Sequence, residues 1–170
     1  ILKKERFAYA DTTTPLETVT YEYGDAAWRD KLTAVNGNDI AYDAIGNPLN
    51  DGTWTYTWQN GRQLQKMQKP GVTAEFVYNA DGLRVQKTVN GVATKYTLHG
   101  KNVVHMTSGT DELHFFYDAQ NRPAVVVYNG TAYAYVKSLQ GDIVAILDES
   151  GNAVVSYGYD AWGAPLWCTG

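Results

Sequence analysis

Leu83-Arg84-Val85-Gln86-Lys87-Thr88-Val89-Asn90-Gly91-Val92-Ala93-Thr94-Lys95-Tyr96-Thr97-Leu98 is the stretch that decides the fold. At its centre Asn90-Gly91 is a two-residue hairpin loop, because both positions tolerate the positive φ of a type I′ turn. That loop opposes Val89 to Val92, Lys87 to Thr94, Val85 to Tyr96 and Leu83 to Leu98. These eight side chains share one face, and six of them are apolar. The other face pairs Thr88 with Ala93, Gln86 with Lys95 and Arg84 with Thr97, and is mostly polar. A one-residue slip would exchange the faces, so turn chemistry and hydrophobic pattern specify the same register. Asn129-Gly130 predicts a second hairpin, with Tyr128 opposite Thr131, Val126 opposite Tyr133 and Ala124 opposite Tyr135. Its other face pairs Val127 with Ala132 and Val125 with Ala134, so it is apolar on both sides. Such a hairpin is covered on both faces or lies in the interior of a larger assembly.

Outward from these hairpins the chain repeats itself. Four segments begin with Tyr followed by Asp or Asn, then Ala. They are Tyr42-Asp43-Ala44-Ile45-Gly46-Asn47-Pro48-Leu49, Tyr78-Asn79-Ala80-Asp81-Gly82-Leu83-Arg84-Val85, Tyr117-Asp118-Ala119-Gln120-Asn121-Arg122-Pro123-Ala124 and Tyr159-Asp160-Ala161-Trp162-Gly163-Ala164-Pro165-Leu166. Their tyrosines are 36, 39 and 42 residues apart, the spacing of a repeat architecture. Weaker units at Tyr21-Glu22-Tyr23-Gly24, Tyr56–Leu64 and Asp148–Asn152 fill the gaps.

Each residue type in the unit has a mechanical reason. A short carboxylate or amide accepts hydrogen bonds from backbone N–H groups two residues on, which forms an Asx-turn. Gly46, Gly82 and Gly163 supply the positive φ where the chain reverses, and Asn121 is the next best substitute. Pro48, Pro123 and Pro165 follow the turn, where a missing N–H is tolerated. Tyrosine rings of successive units are expected to stack as a ladder, at about 0.2–1 kcal/mol per cross-strand pair.

Composition agrees with many short strands. The 170 residues include 13 Tyr, 5 Trp, 4 Phe and 16 Gly, with 44% hydrophobic residues overall. A chain of this length has the size of one ordinary domain, burying roughly 70% of its unfolded surface. No segment holds a helical apolar period over ten residues, and Ala26–Leu32 has room for one or two helical turns at most. The net charge of −4, with no basic cluster beyond Lys3-Lys4-Glu5-Arg6, speaks against nucleic-acid binding. The single cysteine, Cys168, rules out an internal disulfide framework. No apolar run is long enough to span a membrane as a helix. The opening Ile1-Leu2-Lys3-Lys4 carries neither a Met nor a signal peptide, as expected for a piece of a larger chain.

The four Tyr-Asp units resemble the YD repeats of the Rhs family, which includes bacterial wall-associated proteins and the teneurins. The most specific part is Val136–Leu147 followed by Tyr157-Gly158-Tyr159-Asp160-Ala161-Trp162-Gly163, which is similar to the end of an Rhs core. The resemblance implies an all-β chain of antiparallel β-hairpin repeats wound as a curved or spiral sheet. It further implies an open fragment of a shell that, where complete, often surrounds a C-terminal toxin domain. On this reading residues 1–20 are an N-terminal strand or linker region and residues 21–170 the repeat array, in an extracellular or cell-wall-associated parent. The array has too few repeats to enclose a cavity, and the Asp-Pro dipeptides of the family's self-cleavage are absent from the sequence.

Chemistry finds little foothold. His99, His105 and His114 lack a Cys partner and tight ligand spacing, although His105 and His114 can approach each other across a turn; they read as polar strand positions, with no metal or cofactor expected. Asn79–Gly82 and Asp148–Asn152 offer oxygens but lack the twelve-residue calcium loop with its terminal Glu. No Ser lies in a nucleophile elbow and Cys168 has no nearby His, so no enzyme activity is expected. The expected partners are other repeats of the parent chain and further copies pairing through open strand edges. The alternative is a glycan-binding or adhesion module. Trp54, Tyr56 and Trp58 alternate, so their rings project from one strand face and could stack on sugars.

Overall fold

The computed structural model describes residues 1–11 and 13–170. Among them every regular element is a strand, and within each of two sheets, β1–β4 and β5–β18, successive strands pair antiparallel. The contacts divide into two compact units, Ile1–Tyr78 with Thr88–Asn90, and Asn79–Lys87 with Gly91–Gly170.

The first unit holds β1 (Lys3–Phe7), β2 (Pro15–Glu22), β3 (Ala34–Val35) and β4 (Asn38–Asp39) as one sheet in that order. Its second series is β5 (Ala41–Tyr42), β6 (Pro48–Asn50), β7 (Thr55–Gln59), β8 (Gln63–Lys69) and β9 (Val72–Tyr78), again in chain order. The next strand, β10 (Arg84–Val89), leads into the Asn90-Gly91 turn. The second unit continues with β11 (Val92–His99), β12 (Asn102–Ser108), β13 (Asp111–Tyr117) and β14 (Pro123–Tyr128). It is completed by β15 (Thr131–Lys137), β16 (Ile143–Leu147), β17 (Ala153–Tyr159) and β18 (Pro165–Thr169). From β5 onward no connection crosses over, because each turn is too short to do anything but fold the strand back on its predecessor.

The turns adopt the geometry their residues predict. Asn90 and Gly91 have φ of 47° and 86°, and Asn129 and Gly130 have 46° and 87°. The β14–β15 hairpin has the expected register, with Tyr128 opposite Thr131, Val127 opposite Ala132, Val126 opposite Tyr133 and Val125 opposite Ala134. In β11 the inward side chains are Thr94, Tyr96 and Leu98, while Lys95 and Thr97 are exposed. Two further Asn-Gly turns, at 36–37 and 60–61, have the same left-handed pair of φ values. The Ala26–Leu32 segment contains no helix; it makes a single turn in which the Lys31 N–H reaches the Trp28 carbonyl. Asp25 holds that turn by accepting from the N–H groups of Ala27 and Trp28.

Burial is thinner than a 170-residue globular domain implies. Among the described residues only Ala34, Ala74, Phe76 and Val126 are buried apolar side chains, and no large side chain is fully buried. A single layer of strands leaves each side chain at least partly open to the space above the sheet, so half-burial is the rule. In the second unit Leu113, Val126, Tyr128, Tyr133, Tyr135 and Ile146 line a shallow apolar groove of ≈ 360 Å³ on one face.

Candidate functional site

The repeated corner is the most elaborated structure in the molecule. Asp43 Oδ1 accepts the N–H groups of Ile45 (3.0 Å) and Asn47 (2.8 Å), and its own backbone N–H donates to the Asn47 carbonyl. Asp118 takes Gln120 (3.0 Å) and Arg122 (2.8 Å), and Asp160 takes Trp162 and Ala164 (both 2.9 Å). Asn79 does the same with Asp81 and Leu83, so an amide oxygen serves as well as a carboxylate. The clamp thus reaches the residue four on as well as the residue two on, and closes a loop whose backbone donors have no strand partner. Gly46, Gly82 and Gly163 have φ of 87°, 77° and 80°, and Asn121 takes the same role at 61°.

The same corner recurs where the sequence signal is weaker. Asp148 accepts from Ser150 (2.9 Å) and Asn152 (2.8 Å), so these oxygens hold backbone N–H groups. At Ser138 a hydroxyl replaces the carboxylate, accepting the Asp142 N–H at 3.2 Å, with Gly141 at φ 97°.

Tyrosine and proline complete the unit. Pro48, Pro123 and Pro165 begin β6, β14 and β18, each opposite its own repeat tyrosine, at Tyr42, Tyr117 and Tyr159. The tyrosines do not stack as a ladder. Their hydroxyls instead donate to backbone carbonyls: Tyr42 to Leu32 (2.7 Å), Tyr78 to Leu64 (2.9 Å), Tyr117 to Val103 (2.8 Å) and Tyr159 to Ile143 (2.7 Å). In the last three cases the accepting residue lies beside a β-bulge, where Gln65, Val104 or Val144 is the extra residue. A bulge disrupts the ladder locally, and the phenol supplies a donor at that break.

Trp54, Tyr56 and Trp58 share one face, as their alternation predicts, while Thr55 and Thr57 are exposed. All three rings are half-buried. Trp58 Nε1 donates to the Pro48 carbonyl (2.7 Å), and Tyr56 donates to Asp51 Oδ2 (2.6 Å). Burial first, and then the Asp51 hydrogen bond, push the Tyr56 phenol up to about 12. Lys69 Nζ lies 4.6 Å from the Trp54 ring centroid. The polar tips of Tyr56 and Trp58 are engaged within the chain.

The histidines divide differently from their sequence spacing. His99 ends β11 and is exposed. His105 and His114 are direct partners across β12 and β13, with ring centroids 4.6 Å apart and planes at 25°. Glu112, two residues before His114 on the same face, places Oε1 3.0 Å from His105 Nε2 and 3.4 Å from His114 Nε2. Sequence reasoning anticipated the approach of the two histidines but missed Glu112. The signal was there in the Ser108-Gly109-Thr110-Asp111 turn, since a two-residue loop starting on Gly fixes which residues face each other.

The corner and the strand order stand beside known proteins as follows. The tRNA3(Ser)-specific nuclease WapA of Bacillus spizizenii is 38% identical over 79% of this chain, and so is the tRNA nuclease WapA of Bacillus subtilis strain 168. The chain is similar to a segment of WapA. It spans only 6% of the length of those relatives. A solved structure of the Photorhabdus luminescens Tc holotoxin pore, with the TccC3 D651A mutation, covers 89% of this chain and 10% of its own. Its TM-score is 0.54 at 14% identity, a likeness of fold. No protein-family profile matches the chain. Together these likenesses support the Rhs/YD resemblance.

The aspartate corners carry a pH dependence. The Arg122 backbone N–H, helped by its guanidinium, holds Asp118 below the usual carboxylate range, outweighing the opposing effect of desolvation. The Asn152 N–H does the same for Asp148. A carboxylate lowered in the folded state adds stability above its unfolded pKa, about 3.9 for Asp, and loses it as pH falls through the folded value. Urea midpoints are therefore expected to be level above about pH 5 and to fall below about pH 4. Asp118→Asn and Asp148→Asn keep an acceptor and flatten that acid limb. A midpoint that holds constant into strong acid would contradict the clamp.

Proposed function

We propose that the chain is a structural repeat module, a wall segment of an Rhs/YD-type shell in a much longer secreted or surface protein, without catalysis of its own. The observation that carries this reading is the strictly sequential antiparallel strand order, with a clamped corner at each Tyr-Asp unit. Each hairpin covers the open edge and apolar face of the one before it, which is how stacked repeats gain stability. The similarity to 6% of the WapA length supports assigning the tRNA nuclease of the WapA relatives to other parts of their chains. By the same reading the wall encloses or presents an effector domain outside the cell or at its wall, and its partners are neighbouring repeats.

The rings of Trp54, Tyr56 and Trp58 serve packing on this reading, with the polar tips of Tyr56 and Trp58 bonded to their own chain and Lys69 over the Trp54 ring. The test has two arms. Incubated with total tRNA and applied to a glycan panel, the chain is expected to leave the tRNA intact and to retain no glycan. Trp58→Ala is expected to cost about 2 kcal/mol in urea unfolding, for the lost area and the lost indole bond. Cleavage of tRNA, or glycan retention that vanishes in Trp54→Ala or Trp58→Ala with stability unchanged, would overturn the proposal.

A further inference from the structure

The His105–Glu112–His114 cluster is placed by three separate features. Gly109, at φ 61°, starts a two-residue turn that sets Ser108 opposite Asp111, and this register puts His105 opposite His114 and Thr107 opposite Glu112. Asn129 then clasps Glu112 from the next hairpin. Its Oδ1 accepts the Glu112 N–H at 2.8 Å, and its N–H donates to the Glu112 carbonyl at 2.9 Å. On the far side, the Tyr117 hydroxyl secures the Val103 carbonyl beside the bulge that precedes His105. Backbone positions of all three residues are thus fixed before any ligand arrives, which lowers the ordering cost of binding.

We propose that His105 Nε2, Glu112 Oε1 and His114 Nε2 bind a borderline divalent transition-metal ion, with Zn²⁺ as its representative, as a clip between β12 and β13. The three ligand atoms lie within 4.8 Å of one another. An ion with tetrahedral bonds of about 2.0–2.1 Å sets its ligand atoms about 3.3–3.4 Å apart. The separation of 3.4 Å between Glu112 and His114 meets this, and the 3.0 Å hydrogen bond between Glu112 and His105 opens by a few tenths of an ångström as the ion replaces it. Two imidazoles and one carboxylate are a zinc-type donor set, whereas Ca²⁺ and Mg²⁺ need shells made of oxygen and Cu⁺ prefers thiolates. The side chains of His105, Glu112 and His114 are 29%, 56% and 48% exposed, so an ion can enter and complete its shell with water. This inference stands independently of the wall assignment.

The test uses the untagged chain and Zn²⁺ itself, followed by calorimetry and by NMR of the imidazole signals. Saturable binding of one ion per chain is expected, with the His105 and His114 ring signals shifting and those of His99 unmoved. His105→Ala and His114→Ala each lower the affinity roughly tenfold or more, as does Glu112→Gln to a smaller extent, while His99→Ala leaves it unchanged. Zn²⁺ raises the melting temperature of the parent chain but not of His114→Ala, and Mg²⁺ raises neither. Because the substituted side chains are exposed or only half-buried, circular dichroism is expected to be unaltered in each variant. An absence of saturable binding, an unshifted His105 or His114 ring, or binding that survives the double His105→Ala, His114→Ala substitution would overturn the proposal.

Discussion

Val126→Asp is expected to destabilise the second unit by about 3–5 kcal/mol, the cost of an uncompensated buried charge. Val126 is 4% exposed, the best-covered apolar side chain of its unit, and sits opposite Phe115 on one side and Tyr133 on the other. Leu113, Tyr128, Tyr135 and Ile146 surround it on the same face and offer an aspartate no cation. Urea unfolding measures the loss, and hydrogen exchange locates it. In a nearest-neighbour array, protection disappears from β13, β14 and β15 and persists in β7, β8 and β9. A variant with an unchanged midpoint would mean that this face is wet rather than packed. Uniform loss of protection along the whole chain would contradict the array energetics.

Asn129→Val is expected to cost about 3 kcal/mol, from two sources that can be separated. A β-branched residue is strained at the φ of 46° that Asn129 adopts, by about 1–2 kcal/mol. It also removes the Oδ1 that accepts the Glu112 N–H, worth about 1 kcal/mol more. Asn129→Gly keeps the left-handed turn and loses only the side-chain bond, so it is expected to recover most of the stability. Equal urea midpoints for the Val and Gly variants would show that turn strain is not the larger part.

The asparagine also marks where sequence reading stops. Asn129-Gly130 disclosed its turn type and the register of β14 with β15, because those follow from backbone preferences and a period of two. It did not disclose that the side chain reaches the preceding hairpin, a contact that Asn36 and Asn90 repeat on Thr20 and Thr73. That bond depends on which strand lies alongside, and a dipeptide carries no information about its neighbour. The tyrosine ladder failed for a related reason. Ring stacking was inferred from repetition alone, whereas the bulges that draw the hydroxyls to Leu64, Val103 and Ile143 are visible only as slips in pairing. Ser138 escaped notice because its hydroxyl does the work of a carboxylate without resembling one. The all-β class and the four Tyr-Asp corners were legible because each residue's reason is local. Glu112 was legible only indirectly, through the Gly109-Thr110 turn whose register brings it beside His105 and His114.

Strand order has a consequence for how the protein is made. Within each sheet every strand pairs with the one synthesised just before it, so no segment has to wait for a distant partner. All-β proteins usually fold slowly because their contacts are far apart in sequence, and loop closure comes before any gain. From β5 to β18 the loops are two to five residues long, as the corner and Asn-Gly turns show. Each hairpin can close as soon as its second strand emerges from a ribosome or a translocation channel. A very long chain built this way folds vectorially, and its exposed unfinished portion at any moment is a single strand edge.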